Sequence, residues 1–261
     1  MQLGFIGTGE ITSAIVTGLS SSGTTHPIWL SPRNAVIANG LAKRFPGISV
    51  ASSNQEVLDR SDTVVIGVRP SVAQPVLAEL GFRPDHQVIS LVSGLSLASL
   101  AELVAPATGN ARAVPLPSAA QRLSPTAIYP AHPAACELFA AVGSAFPVES
   151  EYEFDAICAA TATIATYFAF NETIASWLER QGLSASQARD YVARLFLGVT
   201  TGAVDESERS FQLLSTAHAT AGGINEQFLK YMVDHGLLLG ISQGLGEILQ
   251  RIRAHSSPKT G

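Results

Sequence analysis

The stretch Gln2-Leu-Gly-Phe-Ile-Gly-Thr-Gly-Glu10 runs straight into Ile11-Thr-Ser-Ala-Ile-Val-Thr-Gly-Leu19. A short apolar run ends in Gly7-x-Gly9, and the residues after it carry helical periodicity. A strand, a tight glycine turn and a helix N-terminus in so short a span aim backbone N–H groups and a positive helix end at one spot. A pyrophosphate can sit there, so a dinucleotide cofactor is expected. Gly7, Gly9, Glu10 and Ile11 are the candidate contacts. A full fingerprint has a small residue three positions after the second glycine; Thr12 stands there and predicts a helix set slightly further from its strand. The plainer alternative, a tight turn in some other α/β domain, is opposed by the strand before the turn and the helix after it.

Composition narrows the classes. The chain has 261 residues, 46% hydrophobic and only 14% charged, with a mean hydropathy of +0.25. So few charges predict extensive buried surface, a subunit interface included. No apolar stretch reaches the roughly 18 residues of a bilayer span, and the first residues lack the basic region of a signal peptide. A soluble, cytoplasmic protein is expected. The net charge is −5 and no Lys/Arg run occurs, which argues against a nucleic-acid surface. Cys136 and Cys158 form neither a disulfide framework nor a metal knuckle, and the scattered histidines form no H-x-x-x-H pair, so no metal is expected.

Strand-like runs at Leu3–Ile6, Pro27–Leu30, Ile48–Val50, Thr63–Val68 and Val88–Leu91 alternate with helical patterns at Ile11–Ser21, Ala35–Phe45, Gln55–Arg60 and Ser71–Leu80. Such alternation predicts a parallel sheet with helices on both faces. Ser96–Val104 reads as a further helix, and Ala111–Val114, Thr126–Tyr129 and Phe146–Val148 extend the sheet. After residue 150 strand patterns stop. Phe154–Gln181 reads as one long helix ended by Gly182, followed by helices at Ser184–Thr200, Ser207–Ala217, Ile224–His235 and Leu238–Arg253 and a polar, frayed tail, His255–Gly261. The expected domains are therefore 1–150, a cofactor-binding α/β domain, and 151–261, an all-helical one. In the long helix Ala159, Ala160, Ala162, Ile164, Ala165, Phe168, Ala169 and Phe170 leave little polar surface. A helix apolar all round must be buried. A helical segment of this size hides it poorly alone, so a homodimer through this half is preferred over burial against the chain's own first domain.

The end of the second strand, Trp29-Leu-Ser-Pro-Arg33, selects the cofactor. An NAD site places a carboxylate there for the ribose hydroxyl. Here there is none, while Ser31 and Arg33 suit a 2′-phosphate, so NADP(H) is predicted; the alternative is that Arg33 is a solvated helix-start residue.

Several further segments occur in one order: Gly4-Phe-Ile-Gly-Thr-Gly-Glu10, Asn54 before a helix, Asp62-Thr-Val-Val-Ile-Gly-Val-Arg-Pro70, Val88-Ile-Ser-Leu-Val-Ser-Gly94, Arg112-Ala-Val-Pro115 and Ala221-Gly-Gly223. In order and spacing they resemble the pyrroline-5-carboxylate reductase family over nearly the whole chain. The resemblance implies a Rossmann-type parallel sheet domain followed by an all-helical dimerisation domain. It implies hydride transfer from NAD(P)H to a cyclic C=N bond, the last step of proline biosynthesis, in a dimer whose subunits interlock. It places Asn54, Val68, Arg69, Pro70, Ser93 and Gly94 on the cofactor, and Leu116, Thr220, Gly222, Gly223, Ile224 and Asn225 on the substrate.

Three segments depart from the family. Val114-Pro-Leu-Pro-Ser118 puts Leu116 where the family has Asn. Thr161-Ala-Thr-Ile-Ala-Thr-Tyr167 replaces its Ser-Gly-Ser-Gly-Pro-Ala-Tyr, and Gly222-Gly-Ile-Asn225 replaces its Gly-Gly-Thr-Thr, whose hydroxyls help to hold the substrate carboxylate. Ile224 donates no hydrogen bond, and an unpaired buried carboxylate is costly. An imine with a different substituent is thus at least as good a candidate as pyrroline-5-carboxylate. An iminium is already protonated; a ketone would need an acid. The candidates for that role are His218, Tyr167 and the nearby Asn225-Glu226, against the alternatives of a backbone-bonded helix-end His218, a Tyr167 in a core or interface and a Glu226 that caps the following helix at its first turn. Two rival readings remain: a C=O reductase of the 3-hydroxyacid dehydrogenase style, which relies on a lysine that only Lys230 could supply before the tail, and a cofactor-binding sensor without turnover.

Overall fold

The computed structural model describes residues 1–23 and 26–256. Strands β1 (Leu3–Ile6), β2 (Ile28–Leu30), β3 (Ile48–Val50), β4 (Thr63–Ile66), β5 (Gln87–Ser90), β6 (Gly109–Val114), β7 (Ser124–Tyr129) and β8 (Gly143–Pro147) form one sheet in the order β3-β2-β1-β4-β5-β6-β7-β8. All pairs are parallel except β6 with β7, which run antiparallel. Their connection holds only a short 3-10 turn, Pro117–Gln121, too short to cross over and return in parallel.

Helices α1 (Glu10–Ser21), α2 (Ala35–Arg44) and α6 (Pro133–Ala140) cover one face; α3 (Asn54–Asp59), α4 (Pro70–Ala78) and α5 (Leu97–Leu103) cover the other. Alternation along β4 shows the two layers. Val65 belongs to the core with Phe5, Ile15 and Phe139, while Val64 and Ile66 belong to that with Val57, Leu77 and Leu100. The sequence reading missed α6. It starts where His132 Nδ1 accepts from the Ala135 amide, and Pro133 fills the first turn.

The later helices are α7 (Glu151–Ala160), α8 (Thr163–Arg180), α9 (Ala185–Asp205), α10 (Phe211–His218), α11 (Ile224–Asp234) and α12 (Leu237–Ser256). The single helix expected over Phe154–Gln181 is two. The chain turns at Thr161-Ala162, where Ala162 N–H donates to Ala159 O and Ile164 N–H to Thr161 O. Ser184 caps α9 reciprocally with Gln187. Helix α12 runs through Ser256, so the expected tail begins in helix; residues 257–261 lie outside the described residues.

Two compact units result: Met1–Cys158 with Leu249–Gly261, and Ala159–Ile248. The sequence boundary at 150 marks where strands end, whereas α7 goes largely with the sheet unit. In the second unit the buried apolar residues are Ala159, Ala175, Ala188 and Val192, the last three packed in one cluster. The face of α8 expected to be buried is open in the single chain, with Phe168 64% and Ile164 39% exposed. Among the described residues no helix is long and apolar enough to cross a membrane.

Candidate active site

The strand order reverses at the β1–β4 border, since β2 and β3 lie on one side of β1 and β4 to β8 on the other. Ligands of open α/β sheets bind at the carboxyl ends of the strands beside such a reversal. Gly7 ends β1 there with φ +98°, and a Cβ on it would lie 2.6 Å from the Gly67 carbonyl oxygen. Only glycine satisfies both the conformation and the approach. Thr12 is fully buried and its Oγ1 donates to Gly7 O at 2.7 Å. Gly67 makes room for it: a Cβ there would meet that Oγ1 at 2.7 Å. The bulk expected to displace the helix is therefore absorbed by a hydrogen bond and a second glycine. Gly9 caps α1 with open space at its Cβ position. The first amides of α1, at Glu10 and Ile11, have no partner within the helix and face the approach to the turn.

Ser31 and Arg33 part company. Ser31 is buried, and its Oγ accepts from Gly7 N–H at 2.9 Å while Thr8 Oγ1 donates to Ser31 O at 3.0 Å. Its hydroxyl supports the glycine turn from inside, and Arg33 is the exposed member of the pair. Asn54, half-buried, opens α3 after β3, with Ser53 as the cap. Arg33 and Asn54 thus follow β2 and β3, on one side of the pyrophosphate position. Val68, Arg69 and Pro70 follow β4, and Ser93 and Gly94 follow β5, on the other side. Arg69 is the N-cap residue of α4 and Pro70 its first residue. Gly94, at φ +77°, turns the chain toward α5. Leu116 is half-buried beyond β6, its amide donating to Ser124 Oγ at 2.9 Å.

The second unit gathers His218 at the end of α10, Thr220, Gly222 and Gly223 on the loop after it, and Ile224 and Asn225 at the start of α11. Gly222 has φ +72°, and its N–H donates to Glu226 Oε2 at 2.7 Å. Asn225 Nδ2 donates to His218 O at 3.1 Å, so its amide is tied to the loop. Ile224 is 82% exposed. His218 Nδ1 donates to Leu214 O at 2.9 Å, which leaves Nε2 of the neutral ring as an acceptor. Tyr167 sits on α8, its ring edge-on to Phe168 and Phe196.

A polar node escaped the sequence reading. Arg112 on β6 is buried; its Nη1 donates to Glu151 Oε1 at 2.6 Å and lies 3.5 Å from Asp155 Oδ1, and its guanidinium covers the Phe154 ring at 4.4 Å. The available signal was an arginine within an apolar strand, which needs a buried partner, and the i,i+4 pair Glu151/Asp155. Burial raises the Asp155 carboxyl pKa, against the pull of Arg112, and pushes the Cys158 thiol up to about 11.

Residues 2–94 match the family described as "NADP oxidoreductase coenzyme F420-dependent", and residues 151–255 match "Pyrroline-5-carboxylate reductase dimerisation". A pyrroline-5-carboxylate reductase of Vibrio alginolyticus is 27% identical over 252 residues, covering 90% of each chain. The solved 1-pyrroline-5-carboxylate reductase of Streptococcus pyogenes is 25% identical, with TM-score 0.83 over 97% of this chain and 98% of that one. That of Coxiella burnetii is 24% identical, with TM-score 0.86 over 98% and 99%. Cofactor turn, sheet order and helical half agree in pointing one way: the chain belongs to the pyrroline-5-carboxylate reductase family of NADP-dependent oxidoreductases.

Proposed function

We propose that this protein is an NADPH-dependent reductase of a cyclic imine, acting as a homodimer through its helical unit, with a substrate that carries no carboxylate at the α10–α11 loop. The observation that carries the substrate reading is the loop itself. Its Gly222 N–H is taken by Glu226, its Asn225 amide is held by His218 O, and Ile224 stands exposed at its front. At its helix start the loop offers a carboxylate no hydroxyl, Thr220 being the one that remains before the glycines, and Glu226 adds a negative charge nearby, so an anionic substituent would lose hydration with little to replace it.

The fit to the cofactor rests on the open glycine turn, the helix N-terminus and the exposed Arg33. Gly7 and Gly9 let the pyrophosphate approach, the amides of Glu10 and Ile11 receive it, and Arg33 with Asn54 holds the phosphorylated adenosine half. Val68, Arg69, Pro70, Ser93 and Gly94 bound the nicotinamide side. NADPH, when bound, supplies the hydride that reduces the imine carbon. The imine nitrogen enters already protonated, so no acid is required, in keeping with a His218 ring whose Nδ1 proton is engaged by Leu214 O. Lys230 is exposed and paired with Asp234 at 2.8 Å, which disfavours a lysine-dependent C=O reductase.

NADPH oxidation is followed with cyclic imines that carry or lack a ring carboxylate. Faster turnover of the uncharged imines is expected. Turnover of pyrroline-5-carboxylate in preference to every uncharged imine would overturn the substrate reading, and binding of NADPH with no turnover on any imine or ketone would favour a sensor.

A further inference from the structure

We propose that Glu151 is a positioning residue for the nicotinamide side of the crevice; this rests on the reading of the cofactor site given above. The pyrophosphate belongs over β1, and Arg33 draws the adenosine half toward β2. The reactive half must then lie over the carboxyl ends of β4 and β5, and the Ser93-Gly94 turn forms part of its floor. That turn is weakly held from within: Val92 N–H donates to Ser90 Oγ at 3.2 Å, the upper end of the usual range, and Leu95 N–H to Val92 O at 3.4 Å, beyond it.

The firm attachment comes from outside. Ser96 Oγ caps α5 by accepting from Ser99 N–H at 3.1 Å, but the Leu97 amide donates to Glu151 Oε1 at 3.0 Å, across 54 residues of sequence. The same oxygen accepts from Arg112 Nη1 at 2.6 Å. Arg112 is itself fixed by β6, by Asp155 and by the Phe154 ring beneath it. One carboxylate oxygen therefore joins the exit of the Ser93-Gly94 turn, the sheet, and α7, the helix from which the chain runs on into the helical unit. Bonds to an ionised acceptor are the stronger kind, so this tether outweighs the turn's own bonds in setting where Ser93 and Gly94 stand.

Glu151→Ala removes the acceptor; Glu151→Gln keeps an oxygen and the shape but loses the charge. Two quantities are read: amide hydrogen exchange at residues 92–97 of the unliganded protein, and kcat with the KM for NADPH on an accepted imine. In Glu151→Ala, exchange at Leu97 and the preceding turn is expected to quicken about tenfold, and kcat to fall by a similar factor while KM stays within about twofold. Glu151→Gln should fall between, at about threefold, and decides the matter if the alanine variant does not fold. Unchanged exchange at Leu97 in a folded variant would overturn the proposal, as would an acceleration spread evenly over β1 and β4. The exchange experiment needs no substrate. Wild-type protein inert toward every imine would sink the proposed reaction alone, and the tether would still be judged by exchange.

Discussion

The two units bury their apolar residues in different ways. Around the sheet, helices on both faces complete two continuous cores in which Leu3, Phe5, Ile6, Ile66 and Ile89 are wholly enclosed. In the helical unit the buried set is Ala159, Ala175, Ala188 and Val192, while Phe168, Leu197, Phe211 and Ile224 remain more than half exposed. The first unit carries its own core within one chain. The second has the composition of a core and the exposure of a surface, which is the condition of a fold completed by association.

The sharpest way to break this contrast is to charge the open face. Phe168→Asp would place a carboxylate in the proposed homodimer contact and is expected to cost about 3 kcal/mol or more of association, enough to give monomers by light scattering at micromolar concentration. A variant that stays dimeric would show that this part of α8 lies outside the interface. Next in size is Gly7→Ala in the complete unit. A Cβ 2.6 Å from Gly67 O at φ +98° should destabilise by about 2–4 kcal/mol, seen as a lower Tm, and abolish measurable NADPH binding in calorimetry. An unchanged Tm would mean that the turn can open.

Arg33→Ala sharpens the comparison without touching either core. It should weaken NADPH by about 10- to 100-fold and NADH by less than about twofold, by fluorescence titration, because only the former carries the 2′-phosphate. Equal effects would remove the cofactor assignment. Ile224→Thr combined with Asn225→Thr restores hydroxyls to the α10–α11 loop and is expected to raise kcat/KM on pyrroline-5-carboxylate by about fivefold. No gain would show that Glu226, and not the missing hydroxyls, governs the discrimination.

The smallest effect is pH-dependent and belongs to the sheet unit. His86 is fully buried, with Nδ1 accepting from Arg83 N–H at 3.0 Å and Nε2 donating to Leu58 O at 3.2 Å. Burial lowers its pKa most, and the Arg83 charge adds to this. A lowered folded pKa means the unfolded chain binds the proton more readily. The stabilisation is therefore complete above the ordinary histidine value of about 6.5 and is lost as pH falls below it. His132, also lowered by burial, acts in the same direction. Stability measured by denaturant between neutral and mildly acidic pH should decline, and His86→Gln should flatten part of that slope. An identical slope would place the proton uptake elsewhere.

Legibility in the sequence followed the range of the forces involved. Gly7-x-Gly9, the strand–helix alternation and the end of β2 without a carboxylate are local patterns, and the structure keeps them in place. Helix α6 was hidden because Pro133-Ala-Ala-Cys136 follows a turn and carries little periodicity over so short a run. The break at Thr161-Ala162 was hidden because the apolar composition continues through it. The bond from the Gly7 amide to Ser31 was not legible because sequence position says only which strand end the serine occupies.

The amino-acid sequence by itself determined the parallel sheet unit, the nucleotide turn and the helical half, because dihedral preferences and apolar periodicity act over a few residues. Only the tertiary structure decided that Arg112 meets Glu151 and Asp155, that Glu151 reaches the Leu97 amide, and that the helical unit leaves its apolar face open. Those outcomes depend on which surfaces remain once the chain has packed, and that is a property of the whole fold that no local pattern encodes.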